Sequence, residues 1–356
     1  MQVNKLSCKN FRNLLDVQVE PNGGMNIVCG ENAQGKTNLI EAIWLFTGAK
    51  SFRNSKDSTF LNLNSQKGIN ELEFEESGTV YTAKMEFSDK RIAFLNDKAL
   101  KSPSALAGKF NAIVFSPVDL SLITEGPAVR RRFLDIAVGQ LYPNYISLLR
   151  DYTKAVMQRN QTIKEYKYDN SLSIMLDIFE KEIALKGEKI INLRKRYIEI
   201  LKKYIPDIYF GLSSGREIIG AEYICSSNGE DLLEKLKFSR REDMYSSNTS
   251  VGPHRDDIDF KINELSARNY GSQGQKRSIA LTVKLAQAGV IKQISGEYPV
   301  CLLDDVMSEL DPSRQEYILN HIRNWQCFLS CCDPSNIASL KGGKVFCVEN
   351  GKITER

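Results

Sequence analysis

"GENAQGKT", Gly30 to Thr37, satisfies the pattern G-x-x-x-x-G-K-[ST] at every fixed position. A chain of this length meets that pattern by accident on the order of once in a hundred times at ordinary residue frequencies. Its flanks make accident less credible still. "MNIVC", Met25 to Cys29, is a short apolar run entering the turn, and "KTNLIEAIWLF" then carries apolar residues at helical spacing. Gly30 and Gly35 permit a turn that aims backbone N–H groups at phosphate oxygens, with Glu31, Asn32, Ala33 and Gln34 completing the loop. Lys36 supplies a point charge to the β and γ oxygens, and the Thr37 hydroxyl is suited to ligate Mg2+. The segment predicts a nucleotide site in an α/β fold.

A phosphate loop of this kind needs a carboxylate at the end of a neighbouring strand. "VCLLDD" provides four apolar residues followed by Asp304 and Asp305. Asp304 is expected to orient the metal or its water. Asp305 is expected to polarise the attacking water, with Lys36 as the other catalytic group. Because Asp reaches about one methylene less far than Glu, slow hydrolysis is expected. "SELDPSR" follows, with Asp311 before a helix that has Pro312 at its first position.

Size and composition set the frame. A chain of 356 residues is too large for one simple core, so two lobes are expected. The net charge of +4 is mild and does not by itself announce a nucleic-acid partner. No stretch approaches the roughly 18 apolar residues of a membrane span, and "MQVNKLSCKNFRNL" lacks the apolar core of a secretory signal. Cys8, Cys29, Cys225, Cys301, Cys327, Cys331, Cys332 and Cys347 form no CxxC pair. They read as reduced, mostly buried thiols of a cytoplasmic protein. Two histidines make a His-based zinc site improbable.

The order of elements suggests how the lobes are made. From Asn70 to Asn96, "ELEFEES", "TVYTAKMEF" and "RIAFLND" alternate as an antiparallel meander should, and "NAIVFSP" is a further buried strand. From Asp119 to Tyr204 the signal is helical. Leu172, Leu176, Phe179, Ile183, Ile190, Leu193, Tyr197 and Leu201 keep a 3-4 spacing interrupted only by Lys186, and Leu141, Tyr145, Leu148 and Tyr152 begin a similar stripe. Two such helices folded back on each other make a short arm, by ordinary helix packing rather than a long coiled coil. The last third returns to alternating helix and strand. Residues 1–117 and 250–356 are therefore expected to form a discontinuous ATPase lobe, with 118–249 inserted as a helical lobe.

A second anion-shaped segment, "NYGSQGQKRSIAL", lies at Asn269 to Leu281. Ser272 is suited to cap a helix beginning near Gln275, leaving Gly274 and the helix N-terminus to face an anion. "GSQGQ" resembles the signature motif of ATP-binding-cassette ATPases. With "LLDD" and "SELD" in that order, the chain is similar to the head of SMC-type ATPases. "FRNL", "GENAQGKTNLIEAI", "VFSPVDLSLITEGPAVRRRFLD", "QRN", "VGPHRDD", "YGSQGQKRS" and "LLDDVMSELD" resemble, more closely still, the RecF family of bacterial recombination and gap-repair ATPases.

That resemblance implies an ABC-type P-loop head with an antiparallel β subdomain and an inserted helical lobe. It implies an ATP-dependent homodimer that clamps double-stranded DNA near single-strand gaps, reset by weak, DNA-stimulated ATP hydrolysis. It also implies RecR and RecO mediators as partners, and no membrane. Asn32, Gly35, Lys36 and Thr37 carry over as nucleotide contacts, Asp304 as the metal carboxylate and Asp305 as the base. Ser272, Gly274 and Gln275 carry over as contacts made in trans, Asp311 as an interface residue and Arg12 as a phosphate contact. Two departures stand out. "FLSCCD" occupies the place where cassette ATPases carry a γ-phosphate-sensing histidine, and "FSPVD" offers no glutamine for a metal-sensing loop. The rival readings are a small-molecule P-loop kinase, which has no use for "GSQGQ" plus "SELD", a transporter ATPase, and an SMC-like structural ATPase, which needs far more coiled coil.

Basic residues are the candidates for DNA phosphate. Arg130, Arg131 and Arg132 lie in the first turns of a helix expected to start at Pro127, and at about 100° per residue they cannot share a face. Phosphate contacts and internal ion pairs are both open to them. Arg194, Lys195, Arg196, Lys202 and Lys203 lie along the arm, either as a solvated face or as DNA contacts. His254 and Arg255 in "VGPHRDD" read as a structural or signalling loop.

Overall fold

Alternating residues become paired strands in the first hundred positions, and the unbroken apolar runs become strands buried on both faces. The computed structural model describes residues 1–53, 55–166, 170–213, 215, 217–227, 231–332 and 343–355. Asp333, which closes "FLSCCD", and Arg356 lie outside them. The chain begins with β1 (Gln2–Phe11), β2 (Leu14–Val19), β3 (Met25–Cys29) and α1 (Lys36–Leu45). Then come β4 (Gly68–Glu76), β5 (Thr79–Phe87), β6 (Arg91–Leu95), β7 (Lys98–Ala99) and β8 (Ala112–Phe115). Helices α2 (Ser121–Thr124), α3 (Pro127–Leu141), α4 (Tyr145–Tyr166) and α5 (Ser173–Ser213) precede β9 (Ile219–Ile224) and α6 (Leu232–Ser246). The remainder is β10 (Asp257–Ile262), β11 (Leu265–Ser266), α7 (Ala267–Tyr270), α8 (Gln273–Ser295), β12 (Val300–Leu303), α9 (Pro312–His321), β13 (Cys327–Cys331), β14 (Lys344–Glu349) and β15 (Lys352–Glu355).

The chain divides into two compact units. One is Met1–Leu120 with Asp207–Arg216 and Ala280–Arg356; the other is Ser121–Pro206 with Glu217–Ile279. The expected border at 249/250 therefore differs from the structural one. Strand β10 pairs with β9 and β11, and α7 packs on β10, so the chain stays with the second unit until it is inside α8. "GSQGQ" thus sits in the helical unit and not in the lobe that holds the phosphate loop.

In the first unit, the antiparallel sheet runs β2-β1-β4-β5-β6-β7 and a second sheet runs β15-β14-β3-β13-β12-β8. From β14 to β8 the second sheet is parallel, and only β15 joins it antiparallel. "AIVF" and "VCLL" are buried along their whole length, as strands covered on both faces must be. Helix α1 follows β3 through the glycine turn and packs on β13 and β8.

In the second unit, α4 and α5 form the expected arm. Tyr145 meets Arg194 and Arg159 meets Glu180, a pairing that only antiparallel helices produce. Leu176, Ile183, Ile190, Tyr197 and Leu201 are buried along it. The sheet β11-β10-β9 was not foreseen, although both "IGAEYI" and "DIDFKI" alternate.

Buried charge organises this unit. Arg159, from "QRN", is fully buried and pairs with Glu180 at 2.9 Å and Asp243 at 2.7 Å. Its neighbour Asn160 accepts hydrogen bonds from the Thr249 N–H and hydroxyl. Arg194, expected on the arm surface, is instead buried and donates to Asp135, the Tyr145 hydroxyl and the Pro253 carbonyl. Arg130 forks onto Asp257 and also binds the Glu125 carbonyl, while Arg131 donates to the Asp256 carbonyl. The first two arginines of "RRR" and Arg194 are thus structural, because each meets an internal acceptor when its helix is packed. Lys195, Arg196 and Lys203 remain exposed.

"VGPHRDD" is structural as well. His254 Nε2 donates to the Thr249 carbonyl at 3.0 Å, which leaves Nδ1 to accept from the Tyr152 hydroxyl at 2.6 Å. Arg255 Nε donates to the same Thr249 carbonyl. Among the described residues no helix is long and apolar enough to cross a membrane.

Two predictions follow from these charges. Arg159→Leu deprives Asp243 and Glu180 of their shared buried cation, and urea unfolding should register a loss of about 3–5 kcal/mol. Burial lowers the His254 pKa from 6.5 to about 4. An unfolded chain therefore binds a proton that the folded chain refuses, so this contribution is complete above pH 6.5 and falls away as pH drops toward 4. Stability measured across that window should decline less in His254→Gln than in the parent chain.

Candidate nucleotide-binding site

The phosphate loop is bent by residues that cannot be replaced without strain. Gly30 has φ +147°, and a Cβ there would lie 2.3 Å from the Val348 carbonyl oxygen. Gly35 has φ +124° and immediately precedes α1. Ala33 also takes a left-handed φ of 65°. Lys36 is buried, its ammonium donating to the Gly30 carbonyl at 2.6 Å and the Glu31 carbonyl at 2.9 Å. The side chain is thereby folded back over the loop whose N–H groups it would complement.

The carboxylate expected from "LLDD" is where the loop needs it. Strand β12 lies between β8 and β13, and the Asp304 N–H donates to the Phe115 carbonyl. Thr37 Oγ1 donates to Asp304 Oδ1 at 2.9 Å. Ser330 Oγ donates to the same oxygen at 3.0 Å. Asp304 is buried, and burial pushes its carboxyl above the usual carboxylate range while the Thr37 and Ser330 hydrogen bonds pull it back. Such a group gains from a nearby cation. Asp305 is exposed, with φ 55°, and its N–H donates to Ser330 Oγ at 2.9 Å.

Several contributors escaped the sequence reading. In "FRNL" the brace is Asn13: its Nδ2 donates to the Gln34 carbonyl at 2.8 Å and its Oδ1 accepts from Asn38 Nδ2 at 2.7 Å. Arg12, expected on phosphate, binds Glu41 and donates to Ser55 Oγ at 2.6 Å. Fully buried Glu41 also takes Arg53 at 2.6 Å, so both guanidiniums are turned toward one interior carboxylate. The Gln34 side chain accepts from the Asn350 N–H, which ties the loop to the β14–β15 turn. Cys332, in "FLSCCD", donates its thiol to Asn32 Oδ1 at 3.3 Å and lies 3.8 Å from Lys36 Nζ. It is exposed, Cys225, Cys331 and Cys347 are half-buried, and all eight cysteines are free. "Mostly buried" is therefore correct for only half of them. The one signal available for Asn13, Ser330 and Cys332 was position, a polar residue at the end of a strand beside the loop.

In the second unit, α8 starts at Gln273, two residues earlier than expected. Ser272 and Gln275 form a reciprocal cap. The Gln275 N–H donates to Ser272 Oγ at 3.2 Å, and the Ser272 N–H donates to Gln275 Oε1 at 2.6 Å. Gln275 Nε2 is also engaged, with Glu217. Both ends of that side chain are thus occupied within the unit, so its part is to shape the cap. Ser272 and Gln273 are exposed, and Gly274 is half-buried. Asp311 caps α9 by accepting from the Arg314 N–H at 3.1 Å and pairs with the Arg314 guanidinium, while staying exposed.

Known proteins resemble this arrangement along the whole chain. Residues 2–338 match the family described as the RecF/RecN/SMC N terminal domain. The DNA replication and repair protein RecF of Clostridium perfringens is 36% identical over 99% of both chains. That of Clostridium kluyveri is 37% identical, over 99% of this chain and 100% of its own. A solved structure described as the recombination mediator protein RecF-ATP in the RecFOR pathway is 33% identical, covers 100% of this chain and 97% of its own, and superposes with a TM-score of 0.92. An Smc head domain from Pyrococcus furiosus, 16% identical at a TM-score of 0.57 and spanning 100% of this chain and 96% of its own, shares the fold.

The brace can be tested directly. Asn13→Ala should weaken ATP binding about tenfold, the equivalent of one or two lost hydrogen bonds, with the melting temperature little changed. Titration calorimetry alongside a thermal melt separates the two effects.

Proposed function

The chain belongs to the RecF family of DNA replication and repair proteins, and we propose that it is an ATP-gated DNA clamp of gap repair. In this reading ATP binds the Gly30–Thr37 loop, two copies pair across the nucleotide, and the pair holds double-stranded DNA near a single-strand gap. Slow, DNA-stimulated hydrolysis then parts the copies. The observation that carries the reading is the 2.9 Å approach of Thr37 Oγ1 to Asp304 Oδ1, which joins phosphate loop and acid in one site.

The same pair fits Mg2+. Thr37 and Asp304 offer hard oxygen donors side by side, and among the described residues no group of three His, Cys, Asp or Glu could hold a metal alone. A phosphate-bound ion needs no such group, since phosphate and water complete its shell. When bound, Mg2+ neutralises charge developing on the phosphate oxygens. Lys36 does the same from the loop. Asp305 takes the proton of the water that attacks the γ-phosphorus, the bond to the β–γ bridging oxygen breaks, and ADP and phosphate leave.

Pairing is supported by the cap at Ser272. The cap fixes an exposed helix N-terminus with Ser272 at the surface, which suits a γ-phosphate brought by another copy. Gln275 serves there by holding the cap. Exposed Asp311 is suited to the same interface. DNA contacts fall to Lys195, Arg196 and Lys203 rather than to the buried arginines, so binding should be phosphate-directed and strongly salt-dependent. RecR and RecO are the mediator partners in this reading, and the compartment is the cytoplasm, where eight free thiols stay reduced.

Light scattering with and without ATP, followed by ATP turnover with and without gapped duplex, tests the proposal. Pairing that needs ATP, and turnover that rises with DNA, are expected. A chain that stays monomeric with ATP and hydrolyses it indifferently to DNA would overturn it. Ser272→Arg should abolish pairing while ATP affinity stays within about twofold of the parent; equal loss of both would contradict contact in trans.

A further inference from the structure

We infer that Ser330 is a positioning residue for both acids of the site, one hydroxyl aiming the metal carboxylate and the water-activating carboxylate together. The inference rests on the roles proposed above for Asp304 and Asp305. Its basis is the end of the β12–β13 ladder. The two strands pair in parallel as Cys301↔Cys327, Leu302↔Phe328 and Leu303↔Leu329, and the next step along β13 is Ser330. At that step the partner strand stops behaving as a strand. Asp305 turns to φ 55°, a conformation that a non-glycine residue adopts at a cost, and its N–H leaves the ladder.

Ser330 compensates on both sides. Its Oγ accepts from the Asp305 N–H at 2.9 Å and donates to Asp304 Oδ1 at 3.0 Å. A hydroxyl donates and accepts through one oxygen, so alanine or valine at this strand position would lose both contacts. The residue is 2% exposed, leaving little water to substitute for its hydroxyl. Thr37 donates to the same Oδ1, so hydroxyls from α1 and β13 fix the plane of one carboxylate. Groups that orient a metal ligand in this way are worth about 10- to 100-fold in metal affinity or activity.

The test uses the full chain with Ser330→Ala and Ser330→Thr. Mn2+ binding in the presence of a non-hydrolysable ATP analogue is read by electron paramagnetic resonance, metal-free nucleotide affinity by calorimetry, turnover at saturating Mg2+ and ATP, and hydrogen exchange at the Asp305 amide. Ser330→Ala should weaken Mn2+ about tenfold or more, slow turnover by about 10- to 100-fold and speed exchange at Asp305, with metal-free nucleotide affinity within about twofold. Ser330→Thr should restore all three. Parental Mn2+ affinity and exchange in Ser330→Ala would overturn the inference, as would failure of threonine to rescue a chain that melts normally. If the parent chain binds Mn2+ and nucleotide but turns over no ATP, the hydrolytic reading fails by itself, and Mn2+ affinity with Asp305 exchange still decides the role of Ser330.

Discussion

A carboxylate buried at the end of a parallel strand must find donors or a cation, and the nucleotide-site half of the chain is arranged around that requirement at Asp304. Two hydroxyls meet its Oδ1, one from the first turn of α1 and one from β13. Neither removes the cost of burial, and the carboxyl stays above its usual range. Phosphate loop and acid are therefore held together by their own hydrogen bonds. Thr37 meets Asp304 because β3, β13 and β12 take successive positions in the sheet.

The second unit also buries paired charge. Three of its buried arginines are paired: Arg159 with Glu180 and Asp243, Arg194 with Asp135, Arg130 with Asp257. Ion pairs of this kind add little net stability over apolar packing, but losing one partner is severe. Each ties one helix to a carboxylate on another element. Motifs such as "QRN" and "VGPHRDD" belong to this framework. Within them Arg159 and Asp256 are buried, while Gln158 and Arg255 stay exposed.

The signature segment joins the two themes. Its serine and glutamine cap each other, so the helix N-terminus is shaped from within its own unit. A rigid, exposed terminus is a suitable receptor for an anion whose other contacts come from elsewhere. Its assignment to the helical unit follows from strand pairing at β9, β10 and β11, which holds the chain there after the expected border.

What could be read from residues alone was whatever is local along the chain. The glycine loop is eight consecutive positions, "VCLLDD" is an apolar strand ending in acids, and the arm shows a 3-4 stripe, because backbone turns, burial and helix periodicity act between near neighbours. Tertiary structure decided every partnership across long separations. Ser330 lies 26 residues from Asp304, Asn13 lies 21 from Gln34, and Arg194 lies 59 from Asp135. No periodicity encodes such pairs. Whether an arginine faces solvent or a buried carboxylate depends on what packs opposite it, and only the folded chain brings that neighbour into place.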